Sequence, residues 1–505
     1  MSEPLVCTVR ILNEVHVFLA GLRGDHLKYL SSKFAINVPN YFFNPLYKLG
    51  RWDGKKRFFE ESGRTYLYLL DEVLPLVSQL GYKLKIDDLR TLDSEPAEFV
   101  DENVFAHILH PDSGEPIIMR DYQINGINAL IEHGYGIFLA STGAGKTLTC
   151  AALVNAFGIK GMRTITIVPS QDLIKQTKAD YVNCQLDVGE YSGERKDYDN
   201  LHIVTTWQAL KNNPKLIESF QVVLVDECHG AKGSKLEELL TKHAANIPYR
   251  FGVTGTLPPE PCDAMTVRVA LGPVRSTITA AELQEREVLA DIEIDILQLE
   301  EDLTKAYKEF CDGDNIGKPP TYAEFKDGYF PDFSTEKAYL THNSTRMQWI
   351  AELLLSKQDQ KKGNVMCFVD SIPFGRQLAN LIPGAIFVNG QDMKKASKRK
   401  EVYDMFADHD DLIVIATVHI AGTGLNIRRI FNLVLIDIGK SFIRVIQAIG
   451  RGLRIASDKD FLSVTDVCSD LKYSRKHLTS RVKYYKDAKY KHKKHKVKYS
   501  NADIQ

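Results

Sequence analysis

The sequence predicts an α/β protein with two tandem parallel-sheet domains, a small α/β module before them and a basic C-terminal tail. Three observations predict this. From about residue 117 to 280, apolar β-branched runs (164–168, 202–205, 222–225, 251–254) alternate with helical stretches. Near-continuous apolar strands separated by helices indicate a sheet covered on both faces. A second such series begins near residue 288 and includes 365–369, 386–388, 412–416 and 433–437. Finally, ASTGAGKT at 140–147 lies between a strand-like run, 136–139, and an apolar helix-like run, 148–157. That strand–loop–helix setting is what a phosphate-binding loop requires.

At 505 residues the chain is long enough for several cores. Residues 1–88 alternate apolar and polar over short runs (5–9, 57–59, 66–70) and read as a small α/β nucleic-acid-binding module, with helices near 25–33 and 74–80. An acidic linker, 87–102, follows. The two larger domains are expected at 103–282 and 283–470, and the tail at 471–505. The polar, Gly/Pro-containing stretch 311–334 reads as an inserted loop.

The net charge of −1 conceals an asymmetry. From Lys472 onward there are twelve Lys/Arg against Asp487 and Asp503, a net +10 that leaves −11 for the rest. A basic tail on an acidic body suggests a polyanion partner, with Tyr473, Tyr484, Tyr485, Tyr490 and Tyr499 available to stack on single strands. A solvated tail is the plainer alternative. The eight cysteines form no CxxC, so free thiols in a reducing cytoplasm are expected. No run of about 18 apolar residues predicts a membrane span, and residues 1–13 show no secretory signal.

In the phosphate loop, small residues let backbone N–H groups of Ser141, Thr142, Gly143, Ala144 and Gly145 turn toward phosphates, and the following helix adds its positive end. Lys146 is expected at the β/γ-phosphates of ATP and the Thr147 hydroxyl at Mg²⁺. The next signal is Val222-Val-Leu-Val-Asp226-Glu227-Cys228-His229, a hydrophobic strand delivering two carboxylates and an imidazole at its C-terminal end. Asp226 would hold Mg²⁺, Glu227 would orient or deprotonate the attacking water, and His229 would relay nucleotide state.

The remaining segments fall in the order and spacing of superfamily 2 helicases, and the chain resembles that group. Arg120-Asp-Tyr122-Gln123 resembles its adenine-recognising segment, in which Gln123 would bond the base and Tyr122 pack beside it; an ordinary helix start would use the same residues. Val168-Pro169-Ser170 and Thr205-Thr206-Trp207-Gln208 resemble motifs that touch a nucleic-acid backbone, although Ser and Thr there also suit helix caps. Thr254-Gly255-Thr256 matches the hydroxyl motif linking hydrolysis to movement, in place of the commoner Ser-Ala-Thr. Residues 416–426 resemble motif V, with Gly424 on the nucleotide side, and Gln447-Ala-Ile-Gly450-Arg451-Gly452-Leu453-Arg454 resembles motif VI. Its i, i+3 arginines project from one helical face. Arg454 is assigned as the arginine finger and Arg451 as a γ-phosphate sensor, with Gln447 in the same catalytic group.

A narrower resemblance rests on Tyr41-Phe-Phe-Asn44-Pro45-Leu-Tyr47-Lys-Leu-Gly50-Arg-Trp52-Asp53-Gly54, which is similar to the N-terminal domain of phage UvsW-type recombination helicases. The resemblance implies two RecA-like domains binding ATP·Mg²⁺ in their cleft. It implies an ATP-driven DNA helicase of replication, recombination and repair. Its partners would be branched or single-stranded DNA and RNA–DNA hybrids, in a host cytoplasm if phage-encoded. Two other readings are weighed: a double-stranded-DNA translocase of a restriction-type system, and a non-hydrolysing clamp or annealing protein. In the first module Asp53-Gly54 favours a tight hairpin. Arg51, Lys55 and Lys56, with Lys48 and Arg57, interleave with Tyr47, Trp52 and Phe58, either to grip nucleic acid or as solvated cations around a small aromatic core.

Overall fold

The computed structural model describes residues 5–91, 95–110, 114–289, 291–312, 319–360, 363–390, 405, 409, 411–418, 430–439 and 461–499. It divides into two compact units, Met1–Ile278 and Thr279–Gln505.

The first unit begins with six short strands: β1 (Val6–Ile11), β2 (His16–Ala20), β3 (Ala35–Asn37), β4 (Lys55–Arg57), β5 (Arg64–Tyr66) and β6 (Lys83–Asp88). Four of them form a mixed sheet in the order β5-β2-β1-β6, and β3 and β4 pair separately. The helices Gly24–Lys33 and Leu70–Gln79 cover the sheet. Alternation in β1 and β2 sends Cys7, Val9, Val17 and Leu19 into one core with Leu30, Val73 and Val77.

Two local expectations are corrected here. Strand β4 pairs with Ala35–Asn37, well upstream, so Asp53-Gly54 is not a two-residue hairpin. Gly54 (φ 78°) instead turns the chain against the Tyr41 ring, leaving no room for a Cβ. Residues 66–70 are not one strand: β5 ends at Tyr66, and a 3₁₀ turn leads into the next helix.

Seven further strands follow: β7 (Tyr135–Ala140), β8 (Thr164–Val168), β9 (Val188–Tyr191), β10 (His202–Thr206), β11 (Val222–Asp226), β12 (Tyr249–Thr254) and β13 (Val274–Ile278). They form an all-parallel sheet in the order β13-β7-β12-β11-β8-β10-β9. β8, β10 and β12 are buried at every position, so their polar members, among them Thr164, Thr166, His202 and Arg250, are covered along with the apolar ones and neither face of these strands is wet.

The small module is built onto this core. Cys262 and Val269, from the helix Pro261–Leu271, belong to the module's own hydrophobic cluster. Around that seam Arg268 donates to Asp71 at 2.7 Å and also pairs with Glu72. Lys56 Nζ donates to Glu237 at 2.5 Å and to Thr266 at 3.0 Å. Tyr68 stacks on Tyr135, 4.4 Å between ring centres.

The second unit holds β14 (Asp291–Glu300), β15 (Asn364–Val369), β16 (Ile386–Val388), β17 (Ile413–Thr417), β18 (Ile430–Ile436), β19 (Phe461–Ser469) and β20 (Lys491–Lys498). Their order is β16-β17-β15-β18-β19-β14-β20, again all parallel. Thus the fold is two seven-stranded parallel α/β sheets of the tandem RecA-like kind.

Two expectations in this unit are also revised. The stretch 311–334 is not an irregular loop where it is described. The helices Thr304–Cys311, Tyr322–Gly328 and Phe333–His342 pack Leu303, Phe325, Phe330 and Leu340 with Leu471 into a satellite core. Nor is the basic C-terminal segment a free tail. Lys472–Asp487 is a helix, and β20 is an edge strand beside β14. Ser474, Leu478, Arg481 and Tyr485 recur at i, i+4, i+7 and i+11 and bury one helical stripe. Arg481 donates both ways to Asp466 at 2.9 Å, and Tyr485 donates to the same carboxylate at 2.8 Å. Tyr485 and Tyr490 are buried, Tyr473 donates to the Pro331 carbonyl and Tyr499 to Glu301, so these rings are structural.

Candidate nucleotide site and nucleic-acid face

The phosphate loop leaves the C-terminal end of β7. Gly143 (φ 90°) and Gly145 (φ 79°) adopt the left-handed conformation that side chains disfavour. Gly145 opens the helix Lys146–Ile159, whose first N–H groups are unsatisfied by the helix itself. Ser141 N donates to the Ile278 carbonyl of β13 at 3.0 Å, which pins the start of the loop.

Its other support is Arg120-Asp-Tyr122-Gln123. Gln123 Oε1 accepts from Arg120 N and its Nε2 donates to the Ala144 carbonyl, both at 2.9 Å. The Tyr122 hydroxyl donates to the same carbonyl at 3.2 Å, and Arg120 donates to that hydroxyl at 3.1 Å. A Cβ at Gly145 would collide with the Gln123 amide. Both residues are buried. In this conformation, therefore, the segment caps a helix and scaffolds the phosphate loop, and the Gln123 amide is engaged within the protein rather than presented to a base.

Opposite the loop, β11 ends in Asp226. Glu227 follows in left-handed backbone (φ 50°), a strained setting for a carboxylate residue at a strand end. Lys146 Nζ lies 3.7 Å from Glu227 Oε1. Thr254 Oγ1 donates to Glu227 Oε2 at 3.1 Å, and His229 Nδ1 lies 3.0 Å from that hydroxyl and 3.3 Å from the carboxylate. A Cβ at Gly255 would stand 3.5 Å from Ala140 O and 3.7 Å from both Lys146 Nζ and Thr142 Oγ1, so the three segments converge.

The electrostatics separate the two acids. Burial, then the neighbouring Glu227 charge, raise the Asp226 carboxyl above its ordinary range. For Glu227 burial also pushes upward, but Lys146, His229 and Thr254 together outweigh it and hold the group ionised. A divalent cation beside Asp226 would relieve its burial and the repulsion. Asp226 and Thr147 offer carboxylate and hydroxyl oxygens, the hard donors Mg²⁺ takes along with phosphates. The donor set fits, and Mg²⁺ held there would neutralise phosphate charge. Cys150 and Cys228 beside the pair are buried, which raises both thiols, and all eight cysteines are free.

The expected nucleic-acid residues lie at the C-terminal ends of the same sheet. Ser170 Oγ accepts from Leu173 N at 3.4 Å and Thr206 Oγ1 from Ala209 N at 3.3 Å. Both hydroxyls are helix caps, the plainer of the two uses weighed above. Thr205 is buried and donates to the Tyr191 carbonyl at 2.7 Å. Trp207 packs partly on the core, while Pro169 and Gln208 are exposed. In the module Arg51 and Lys55 are exposed, but Lys56 is tied to Glu237 and Thr266 and serves the seam. Gly424, Gln447, Arg451 and Arg454 lie outside the described residues. Thr254 was legible only as part of a coupling motif; its position between Glu227 and His229 comes from two adjacent strand ends, β11 and β12.

Three family models match in order: DNA helicase UvsW, N-terminal, at 22–87; the type III restriction enzyme res subunit at 116–259; and the helicase conserved C-terminal domain at 345–456. The chain is 25% identical over 492 residues to the ATP-dependent DNA helicase uvsW of Enterobacteria phage T4, covering 90% of this chain and 93% of that one. The crystal structure of T4 UvsW aligns over 98% of this chain and 99% of its own at 21% identity, with a TM-score of 0.46. The DNA-bound type ISP restriction-modification enzyme LlaBIII aligns over 86% of this chain and 36% of its own at 13% identity and TM-score 0.54, a likeness of fold. No described helix is long and apolar enough to cross a membrane. With the three models in this order along one sequence, the chain belongs to the superfamily 2 ATP-dependent DNA helicases of the UvsW type.

Proposed function

We propose that this helicase acts on branched DNA and R-loops, unwinding or migrating branches and annealing strands, in replication, recombination and repair. The observation that carries the motor reading is the intact Lys146–Glu227–Thr254–His229 constellation. Lys146 pairs with Glu227, Glu227 stays ionised as a base or water-orienting group, and Thr254 ties Glu227 and His229 to the next strand. A non-hydrolysing clamp needs none of this. ATP takes the phosphate loop, with Thr147 and Asp226 at Mg²⁺. Arg451 and Arg454 keep the sensor and finger roles that their motif implies, and Arg51, Lys55, Pro169 and Gln208 stand as exposed candidates on the nucleic-acid side. The expected domain limits, 1–88, 103–282 and 283–470, remain part of this proposal.

The preference for branches is supported by the module match and by the way the module is anchored. A module sharing its core with the helix Pro261–Leu271 moves with the first motor sheet, so DNA gripped by the module keeps a fixed place relative to that sheet. The test is ATP hydrolysis and strand separation compared across single strands, forks, four-way junctions and R-loops. Faster turnover and unwinding on junctions and R-loops than on plain duplex is the expected result. Hydrolysis driven by plain duplex without strand separation would instead favour the translocase.

A further inference from the structure

The geometry points to a second nucleic-acid contact on the second unit: a basic cleft between the helix Lys472–Asp487 and the edge strand β20 that holds a phosphate backbone. This rests on the helicase reading and adds a site to it. The cleft is about 490 Å³ and is lined by Arg475, Thr479, Lys483, Lys486, Lys494 and Gln298. The helical members recur at i, i+4, i+8 and i+11, so they form one stripe flanking the buried Ser474–Leu478–Arg481–Tyr485 stripe, and Leu478 and Val482 floor the cleft between them.

Strand β20 divides its charges by face. Lys493 pairs with Glu293 at 2.8 Å and His495 with Asp295 at 3.4 Å, so one face is neutralised by β14. On the other face Lys494 and Lys496 stand beside Ile296 and Gln298, which carry no charge. Arg475 is paired with Asp327 at 2.6 Å. Among the described residues Lys483, Lys486, Lys494 and Lys496 have no ion pair, and no carboxylate lines the cleft. Uncompensated like charges repel, and an anion placed among them removes that cost.

The shape suits a polymer rather than a single phosphate. From Arg475 to Lys486 the stripe runs roughly 16 Å along the helix, the axial rise of about five base pairs. Lysines on alternate strand positions recur at about 6.6 Å, near two base-pair rises along a duplex axis. Gln298 adds an amide donor suited to phosphate oxygens. No aromatic ring lines the cleft, so it offers no base stacking and no sequence readout.

The test uses the full chain carrying K483Q, K486Q and K494Q together, with K491Q/K493Q as the opposite-face control. Affinity for a duplex of about 30 base pairs is measured against log salt, each lost phosphate contact being worth about 0.9 in slope. The triple variant should lose about two to three units of slope and bind at least tenfold more weakly at low salt, equally across sequences. Its DNA-free ATPase should equal wild type, which also reports an intact fold, and the control should keep the wild-type slope. A triple variant with the wild-type slope overturns the cleft and leaves the helicase reading standing. Wild-type hydrolysis that ignores DNA at every salt overturns both.

Discussion

Thr254 Oγ1 donates to Glu227 Oε2 at 3.1 Å, which ties the end of one central strand to the carboxylate following its neighbour. His229 sits on the same hydroxyl at 3.0 Å. Strands β11 and β12 are adjacent and parallel, so both groups emerge at one edge. Removing the hydroxyl by Thr254→Val keeps the buried volume but deletes its bonds to Glu227 and His229, leaving only their direct 3.3 Å contact to orient the carboxylate. ATP turnover should fall by roughly 10²-fold, since a positioned base is worth on the order of 10²–10⁴. DNA binding should persist. Wild-type turnover in T254V would show that the bridge has no catalytic part.

Lys146→Ala should abolish turnover while leaving DNA affinity within a few-fold of wild type. Among the described residues Lys146 pairs with Glu227 and reaches the Ala140 carbonyl, both within the site. Equilibrium unfolding should shift by about 1–3 kcal/mol, because the buried Glu227 carboxylate loses its main cationic partner. Substantial ATPase in a folded K146A protein would argue against the motor.

Arg454→Ala tests the role that motif VI implies. Nucleotide affinity should change little, whereas single-turnover hydrolysis should drop by about 10³–10⁵. If affinity fell instead and bound nucleotide turned over normally, Arg454 would be a ground-state ligand.

Acid should loosen the first unit through His202. Burial holds this imidazole down to about 4, below its ordinary 6.5, and its Nδ1 has no partner. A group depressed in the folded state contributes stability above its unfolded pKa and loses it as pH falls from about 6.5 toward 4. At pH 5 the loss is on the order of 1–2 kcal/mol. His202→Gln should flatten the stability change between pH 7 and 5, measured by urea unfolding. An unchanged pH dependence would place the acid sensitivity elsewhere.

Arg268→Ala should leave the module folded but looser on its seat. Arg268 spans from the helix after Thr254-Gly255-Thr256 to Asp71 and Glu72, while the apolar core beneath is untouched. Limited proteolysis between residues 22 and 110 should quicken, with DNA-free ATPase near wild type. Equal proteolysis rates would mean that the apolar seam alone fixes the module.

The sequence by itself determined the two parallel sheets, the phosphate loop and the acidic strand end, because each is a local pattern. A parallel strand covered on both faces reads as a β-branched, largely apolar run, as 222–225 does, and a tight anion loop needs glycines at 143 and 145. In the C-terminal segment composition and period point different ways: the charge suggests a basic tail for a polyanion, whereas the 474–478–481–485 spacing is that of a buried helical face. Tertiary structure decided what the polar residues do. Gln123, Ser170, Thr206 and Lys56 carry side chains equally suited to ligand or protein, and their partners (Ala144 O, Leu173 N, Ala209 N, Glu237) come from chain segments whose proximity no local spacing specifies. A hydrogen bond or ion pair is fixed by distance in space, and only the folded chain sets that distance.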